Sequence, residues 1–305
     1  MLVGEALPPS TGPCALAIGK FDAIHLGHQA LIRSMVHEAR ELGLQSVVLT
    51  FKNHPNQILN PTNVPLPVIG PTQKIDLLQS LGVNHCLNIP FTVEFANQSP
   101  EQFVKKYIEQ SRAKVVYVGD NFRFSKDAKG TTQTLKDLGN ALGFEVRTFR
   151  VEFQNSEKIS TTTIRNHILN GEIEQANSML GRFHFTTGLV EHGRKLGRQL
   201  GYPTANLARD SEGLLPADGV YAGYLISDGV RYPAAHSIGT NDSIEAVPRL
   251  LESHVIGRDD LDLYDKTVVC EYVAQVRGWA KFESVEALTE QIASDVKRAA
   301  ELLED

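Results

Sequence analysis

Cys14-Ala15-Leu16-Ala17-Ile18 is an unbroken apolar run that passes directly into Gly19-Lys20-Phe21-Asp22-Ala23-Ile24-His25-Leu26-Gly27-His28. The run reads as a buried strand. Beyond it, Leu31, Ile32, Met35, Val36 and Ala39 recur at the i, i+3, i+4 spacing of one helix face, with His28 expected to open the helix. Two glycines and two histidines therefore fall where a strand turns into a helix. The first helical turn has unpaired N–H groups and partial positive charge, glycine admits a close approach of backbone to ligand, and His25 and His28 add donors. Together these imply a nucleotide-phosphate site. A histidine in such a turn also serves as a plain cap or a solvated side chain, and the four residues alone leave that alternative open.

Outward from this stretch, short β-rich runs alternate with helical patterns up to about residue 150. Ala15–Ile18, Ser46–Phe51, His85–Ile89, Lys114–Val118 and Glu145–Arg150 read as strands; Gln29–Leu42, Pro71–Leu81, Pro100–Glu109 and Thr132–Leu142 read as helices. Such alternation predicts an α/β unit, a parallel sheet of Rossmann-like architecture with helices on both faces. Ligands then belong beyond the carboxyl ends of the strands, where Gly19–His28, Phe51–Pro55 and Gly119–Phe122 all fall. After two short helices, Thr162–Leu169 and Ile173–Leu180, the pattern becomes β-rich, which places a domain boundary near Gly181. Residues 1–182 form one expected domain and 183–305 the other. In the second, Phe183–Glu191, Tyr221–Ser227, Arg231–Ser237, Arg249–Val255 and Thr267–Gln275 read as strands, and a helix from Val285 to Leu303 closes the chain. These predict a small antiparallel β-barrel with a helical flank.

The chain has 305 residues, enough for two cores, and a net charge of −6, which gives no reason to expect nucleic acid or a membrane surface as partner. Cys14, Cys86 and Cys270 are far apart and odd in number, so they read as buried thiols rather than a disulfide or zinc framework. Without an 18-residue apolar run or a basic-then-apolar leader, the expectation is a soluble, cytoplasmic protein. A homo-oligomer is left open.

A second cluster, Ile159-Ser160-Thr161-Thr162-Thr163-Ile164-Arg165, sets hydroxyls at a helix start and an arginine one turn in, suited either to anionic oxygens or to an ordinary N-cap. Further on stand Gly193-Arg194-Lys195-Leu196-Gly197 and Arg198-Gln199-Leu200-Gly201-Tyr202-Pro203-Thr204-Ala205-Asn206. From Gly19 to Arg165 the chain resembles the adenylyltransferase module of the prokaryotic bifunctional riboflavin kinase/FMN adenylyltransferase (FAD synthetase) family. The Pro-Thr-Ala-Asn segment is similar to the signature of riboflavin kinases. The likeness runs from about residue 14 to 303 in the family's order.

The resemblance implies two reactions: phosphorylation of riboflavin to FMN, and adenylylation of FMN to FAD with release of pyrophosphate. It implies that Gly19, Phe21, Asp22, His25, His28, Asn121, Ser160, Thr161, Thr162 and Arg165 hold ATP for adenylyl transfer, with His25 and His28 catalytic. It implies that Gly193, Gly197, Arg198, Thr204 and Asn206 hold ATP for the kinase, Thr204 and Asn206 bearing Mg2+. Glu252 would be the base toward the ribityl hydroxyl, and Arg277 a flavin contact. ATP, riboflavin and FMN are the implied small-molecule partners.

Several positions depart from the family pattern. Lys20, Ala23, Lys52, Asn53 and Ser125 do so in the first module, and Asp242, Ser243, Gly257 and Asp265 in the second. Lys20 and Lys52 add positive charge where anionic substrates are expected, whereas Ser125 is costly if its loop requires a positive φ. The second set points to altered riboflavin affinity with the metal donors kept. The competing readings are an adenylyltransferase with an impaired kinase domain, another nucleotidylyltransferase, and a flavin-binding sensor. The second has no use for the Pro203–Asn206 module, and the third none for the full set of polar site residues.

Overall fold

A computed structural model describes residues 1–150, 153–154, 157–192, 201–239 and 249–304. It divides into two compact units, one of residues 1–67 and 71–161, the other of 68–70 and 162–305.

The first unit contains β1 (Leu2–Gly4), β2 (Cys14–Ile18), α1 (Leu26–Glu41), β3 (Gln45–Phe51), α2 (Asn56–Leu59), α3 (Pro71–Ser80), β4 (His85–Ile89), α4 (Val93–Ala96), α5 (Pro100–Phe103), β5 (Ala113–Gly119), β6 (Arg123–Phe124), β7 (Gly130–Thr131), α6 (Thr132–Leu142), β8 (Glu145–Phe149), β9 (Phe153–Gln154) and β10 (Glu157–Lys158). Six strands form one parallel sheet in the order β1-β4-β3-β2-β5-β8. All five residues of β2 are buried, as are Ser46–Thr50 of β3, because helices cover both faces of a parallel sheet. α1 lays Leu31, Ile32, Met35, Val36 and Ala39 into that core, the stripe expected from their spacing.

Two elements differ from the expectation. Leu2–Gly4 adds a sixth strand at the edge, pairing Val3 with Cys86. The stretch expected as one helix over 100–109 starts as α5 and widens into a π-turn over Val104–Glu109. From β2 the chain continues to β3 on one side, and from β5 to β8 on the other. The sheet order thus reverses between β2 and β5, and a crevice opens beyond the carboxyl ends of those two strands.

The second unit contains α7 (Thr161–Asn170, from its second residue), α8 (Ile173–Leu180), β11 (His184–Glu191), β12 (Ala205–Leu207), β13 (Gly219–Ser227), β14 (Val230–Gly239), β15 (Leu250–Val255), β16 (Thr267–Gly278) and α9 (Val285–Glu304). Six strands close an antiparallel barrel in the order β11-β12-β15-β14-β13-β16. Its core holds Tyr221, Leu225, Cys270 and Tyr272, with Val68 and Ile69 buried in the same unit and the Val68 carbonyl accepting from the Leu214 N–H at 3.1 Å. The change of pattern read near Gly181 lies within this unit, which also takes in α8 and all but the first residue of α7. Cys14, Cys86 and Cys270 are free and buried.

Candidate functional sites

In the sheet unit, the Gly19 N–H donates to the Leu49 carbonyl at 3.1 Å, continuing the β2–β3 ladder one step before the chain turns. The Phe21 ring folds beneath that step: a Cβ on Gly19 would lie 2.9 Å from Phe21 Cζ, so glycine is required there. Phe21 and Ile24 both adopt left-handed backbone, φ 49° and 44°. For Ile24, a β-branched residue, this is a strained conformation. His25, not His28, caps α1, its Nδ1 accepting from the His28 N–H at 3.3 Å, so the helix starts one turn earlier than the sequence suggests. The two imidazoles stack with centroids 3.7 Å apart, and the Phe21 ring meets His28 edge-on at 5.1 Å.

Burial, with positive charge on His25 and Lys20 close by, holds the His28 pKa well below its usual 6.5. Among the described residues the buried His28 Nδ1 has no hydrogen-bond partner. The turn thus offers a neutral imidazole and free helix N–H groups at the crevice, an arrangement that an anion completes. Asp22 is buried in the same turn. Asn121 follows β5 on the other wall of the crevice and is exposed. Ser160 and Thr161 belong to the sheet unit, whereas Thr162 and the buried Arg165 belong to the barrel unit.

Two of the departures, Lys52 and Asn53, have local partners. Lys52 pairs with Glu5 at 2.5 Å, which spends its charge on the protein. Asn53 mimics a strand residue, its Oδ1 accepting from the Phe91 N–H at 2.8 Å and its Nδ2 donating to the Phe91 carbonyl at 3.0 Å. Ser125 does have positive φ, 66° with ψ 179°. One feature of this unit escaped sequence reasoning, a cluster of Phe51, Phe91, Phe95, Phe103, Tyr107 and Phe124, gathered from the strand ends and from the helical segments between them.

In the barrel unit one rung of the ladder joins the distant motifs. Asn206 pairs with Glu252, Glu252 with Ser237, Ser237 with Val220, and Val220 with Arg277. Opposed residues on neighbouring strands share a face, so Asn206 and Glu252 stand side by side. Asn206 Nδ2 donates to the Thr204 carbonyl at 3.4 Å, which commits the amide nitrogen and leaves Oδ1 for a ligand. Thr204 and Asn206 line a cleft with Ser253, Arg258, Leu263 and Tyr264. Burial raises the Glu252 pKa above its usual value, a shift that suits a carboxylate acting as a base.

Arg277 grips Asp295 of α9 through Nε at 2.9–3.0 Å and Nη2 at 2.8 Å, leaving the outer edge of its guanidinium on the Gly278 carbonyl and near Phe282. Asp265 has φ 59° and Gly257 φ 74°, so one departure from the family pattern puts a side chain into left-handed backbone and the other places a glycine in it. Gly193, Gly197, Arg198, Asp242 and Ser243 lie outside the described residues. Among the described residues no group of three or more His, Cys, Asp or Glu is set to hold a metal, so Mg2+ would rely on Thr204, Asn206 and substrate phosphates, hard oxygens that fit it.

Residues 7–163 match the family model for FAD synthetase, and residues 180–303 that for riboflavin kinase. The chain is 34% identical to the bifunctional riboflavin kinase/FMN adenylyltransferase of Bacillus subtilis over 93% of its own length and 90% of that protein. To the protein of the same name from Escherichia coli K12 it is 30% identical, over 94% and 92%. A crystal structure from Streptococcus pneumoniae, described as a macrolide-efflux protein, superposes with a TM-score of 0.88 at 30% identity, covering 98% of each chain. Among the described residues no helix is long and apolar enough to cross a membrane.

Proposed function

The chain belongs to the bifunctional riboflavin kinase/FMN adenylyltransferase family, and from that premise we propose that it carries both activities, adenylyl transfer in residues 1–182 and phosphoryl transfer in 183–305. The observation that carries this reading is the pairing of Asn206 with Glu252 on one barrel rung, in a chain that also holds the capped His25–His28 turn at the sheet's switch point.

In the barrel, Glu252 takes the proton of the ribityl 5′-hydroxyl as its oxygen bonds to the γ-phosphorus of ATP, and ADP departs. Thr204 and Asn206 hold the nucleotide's phosphates and the Mg2+ that neutralises their charge. Glu252 and Arg277 stand on β15 and β16, three strands apart in the closed six-stranded barrel and so on opposite sides of it.

In the sheet unit, a terminal phosphate oxygen of FMN attacks the α-phosphorus of ATP and pyrophosphate leaves. Gly19, Phe21, Asp22 and Asn121 shape the crevice, and His25, His28 and the first N–H groups of α1 stabilise the phosphate charge. Ser160 and Thr161, of the same unit, are assigned to the same nucleotide. The aromatic cluster around Phe51 and Phe91 offers the isoalloxazine an apolar face. An impaired kinase and a flavin sensor are disfavoured by the raised Glu252 beside Asn206, which a pure binder does not need. Incubating the full chain with riboflavin, ATP and Mg2+ and resolving the flavins by chromatography tests the reading. FMN followed by FAD is expected; unchanged riboflavin, or FMN with no FAD, refutes it.

A further inference from the structure

Thr204 lines the cleft of the barrel unit. Its β-branched side chain has few χ1 choices, so the backbone around it decides where its hydroxyl points. Both peptide planes that flank Thr204 are held by side chains. On one side Asn206 Nδ2 donates to the Thr204 carbonyl at 3.4 Å, and on the other His254 Nδ1 meets the Pro203 carbonyl at 2.8 Å. A carbonyl only accepts, so Nδ1 carries the proton and donates it.

His254 reaches Pro203 from β15, two residues beyond Glu252. Along that strand Leu251, Ser253 and Val255 are buried while Glu252 and His254 are half-buried, so these two share a face. β12 pairs with β15 through Ala205–Ser253 and Asn206–Glu252. Beyond that end of the ladder comes Pro203, which has no N–H with which to extend it; the imidazole ties the chain down there instead. Ser253 is fixed from within the barrel: its Oγ lies 3.0 Å from His236 Nδ1, and His236 Nε2 donates to the Glu271 carbonyl at 3.1 Å. The Tyr202 ring meets the His254 ring edge-on at 5.4 Å. Pro203, Thr204, Ala205 and Asn206 all line the cleft, whereas His254 is not among the described residues that do.

We propose that His254 is a positioning residue for phosphoryl transfer: its Nδ1–H pins the Pro203 carbonyl, fixes the peptide ahead of Thr204 and thereby aims the Thr204 hydroxyl into the cleft. This rests on the proposed function of the barrel unit and adds to it a residue that acts through Thr204 rather than on the nucleotide. A misplacement of site groups by about 1 Å costs on the order of 100-fold in rate, and this sets the scale expected when the tie is removed.

The test uses the full chain, with FMN formation from riboflavin as readout and adenylylation of supplied FMN as internal control. H254A is expected to lower kcat/KM for ATP in FMN formation by about 10- to 100-fold, with KM for riboflavin and adenylylation nearly unchanged. H254N, whose amide nitrogen stands where Nδ1 stood, is expected to recover most of that loss; H254Q, whose amide nitrogen stands where Nε2 stood, is not. T204A/H254A is expected to be no slower than T204A alone, because His254 acts through Thr204. Independently of activity, a nitrogen–proton correlation spectrum of the histidine-labelled chain, taken above the pH at which imidazole titrates, should show the His254 ring protonated at Nδ1.

Wild-type kcat/KM for ATP in H254A overturns the proposal. So does an H254N as slow as H254A, a recovery in H254Q instead, which marks a direct contact through Nε2, losses that multiply in the double variant, or a ring protonated at Nε2. Should H254A fail to fold, the comparison of H254N with H254Q decides. A wild-type chain that forms no FMN defeats the proposed function and this inference with it, whereas wild-type FMN formation with an unaffected H254A defeats the inference alone.

Discussion

Ser125 occupies backbone at φ 66° and ψ 179°, a region open in practice only to glycine, and its buried Oγ has no partner among the described residues. Holding a residue with a Cβ there costs about 1–3 kcal/mol, and the unpaired hydroxyl costs about 1–3 kcal/mol more. Glycine removes both, while its larger freedom in the unfolded chain takes back about 0.5–1 kcal/mol. Ser125→Gly should therefore stabilise the sheet unit by about 1–5 kcal/mol. At ~2–4 °C per kcal/mol for a unit of this size, Tm rises by at least about 2 °C. Ser125→Ala separates the contributions, because alanine removes the hydroxyl and keeps the strain, so its rise should be the smaller. Calorimetric scans of the three proteins in one buffer make the comparison. If S125G melts no higher than S125A, the backbone at 125 is not the strained element and the reasoning fails.

Gly19→Ala forces a Cβ to within 2.9 Å of the buried Phe21 ring. Overpacking of this kind costs about 1–3 kcal/mol, and FAD formation should fall at least tenfold while riboflavin phosphorylation by the same chain persists, measured as the two flavin products. Glu252→Gln should abolish most FMN formation, a loss of ~100-fold or more, and leave adenylylation of supplied FMN intact; equal losses in both reactions would count against a base role. His184 and His236 are buried in the barrel unit, and burial lowers both pKa values from 6.5 to about 4. Between those values the unfolded chain binds more protons than the folded one, so stability falls as pH drops from about 6.5 to 4. The urea midpoint should be lower at pH 5 than at pH 7.5, and an unchanged midpoint would contradict the buried neutral state of these rings.

Apolar runs located the central strands β2, β3 and β4, and the i, i+3, i+4 stripe located the buried face of α1, because burial on a sheet or helix face leaves a periodic trace in the residues themselves. β1 left no such trace: three residues pair with a strand more than eighty positions away, and only the tertiary fold creates that partner. β12 is equally short, and its Ala205–Leu207 segment reads as part of a loop motif until β11 and β15 flank it. The helix cap falls on His25 because its Nδ1 meets the His28 N–H, a geometric fact that two histidines three apart leave undecided. Lys52 shows the converse: its charge was legible, whereas its partner Glu5, 47 residues upstream, was not. The expectation about Ser125 arose because it departs from a glycine of the family pattern, and its φ is indeed positive. The aromatic cluster went unnoticed because it has no local pattern, and it matters only where loops from separate strands come together.

Val68, Ile69 and Gly70 sit among residues of the sheet unit in the chain, yet they pack as part of the barrel unit, where Val68 and Ile69 are almost inaccessible to water. A gene cut at the apparent seam would therefore not yield two self-sufficient products. The carboxy-terminal piece would lack a tripeptide of its own interior and present a raw apolar notch, while the amino-terminal piece would carry that tripeptide with nowhere to bury it. Any attempt to free the kinase from its neighbour must graft those residues back or repaint the notch with polar ones.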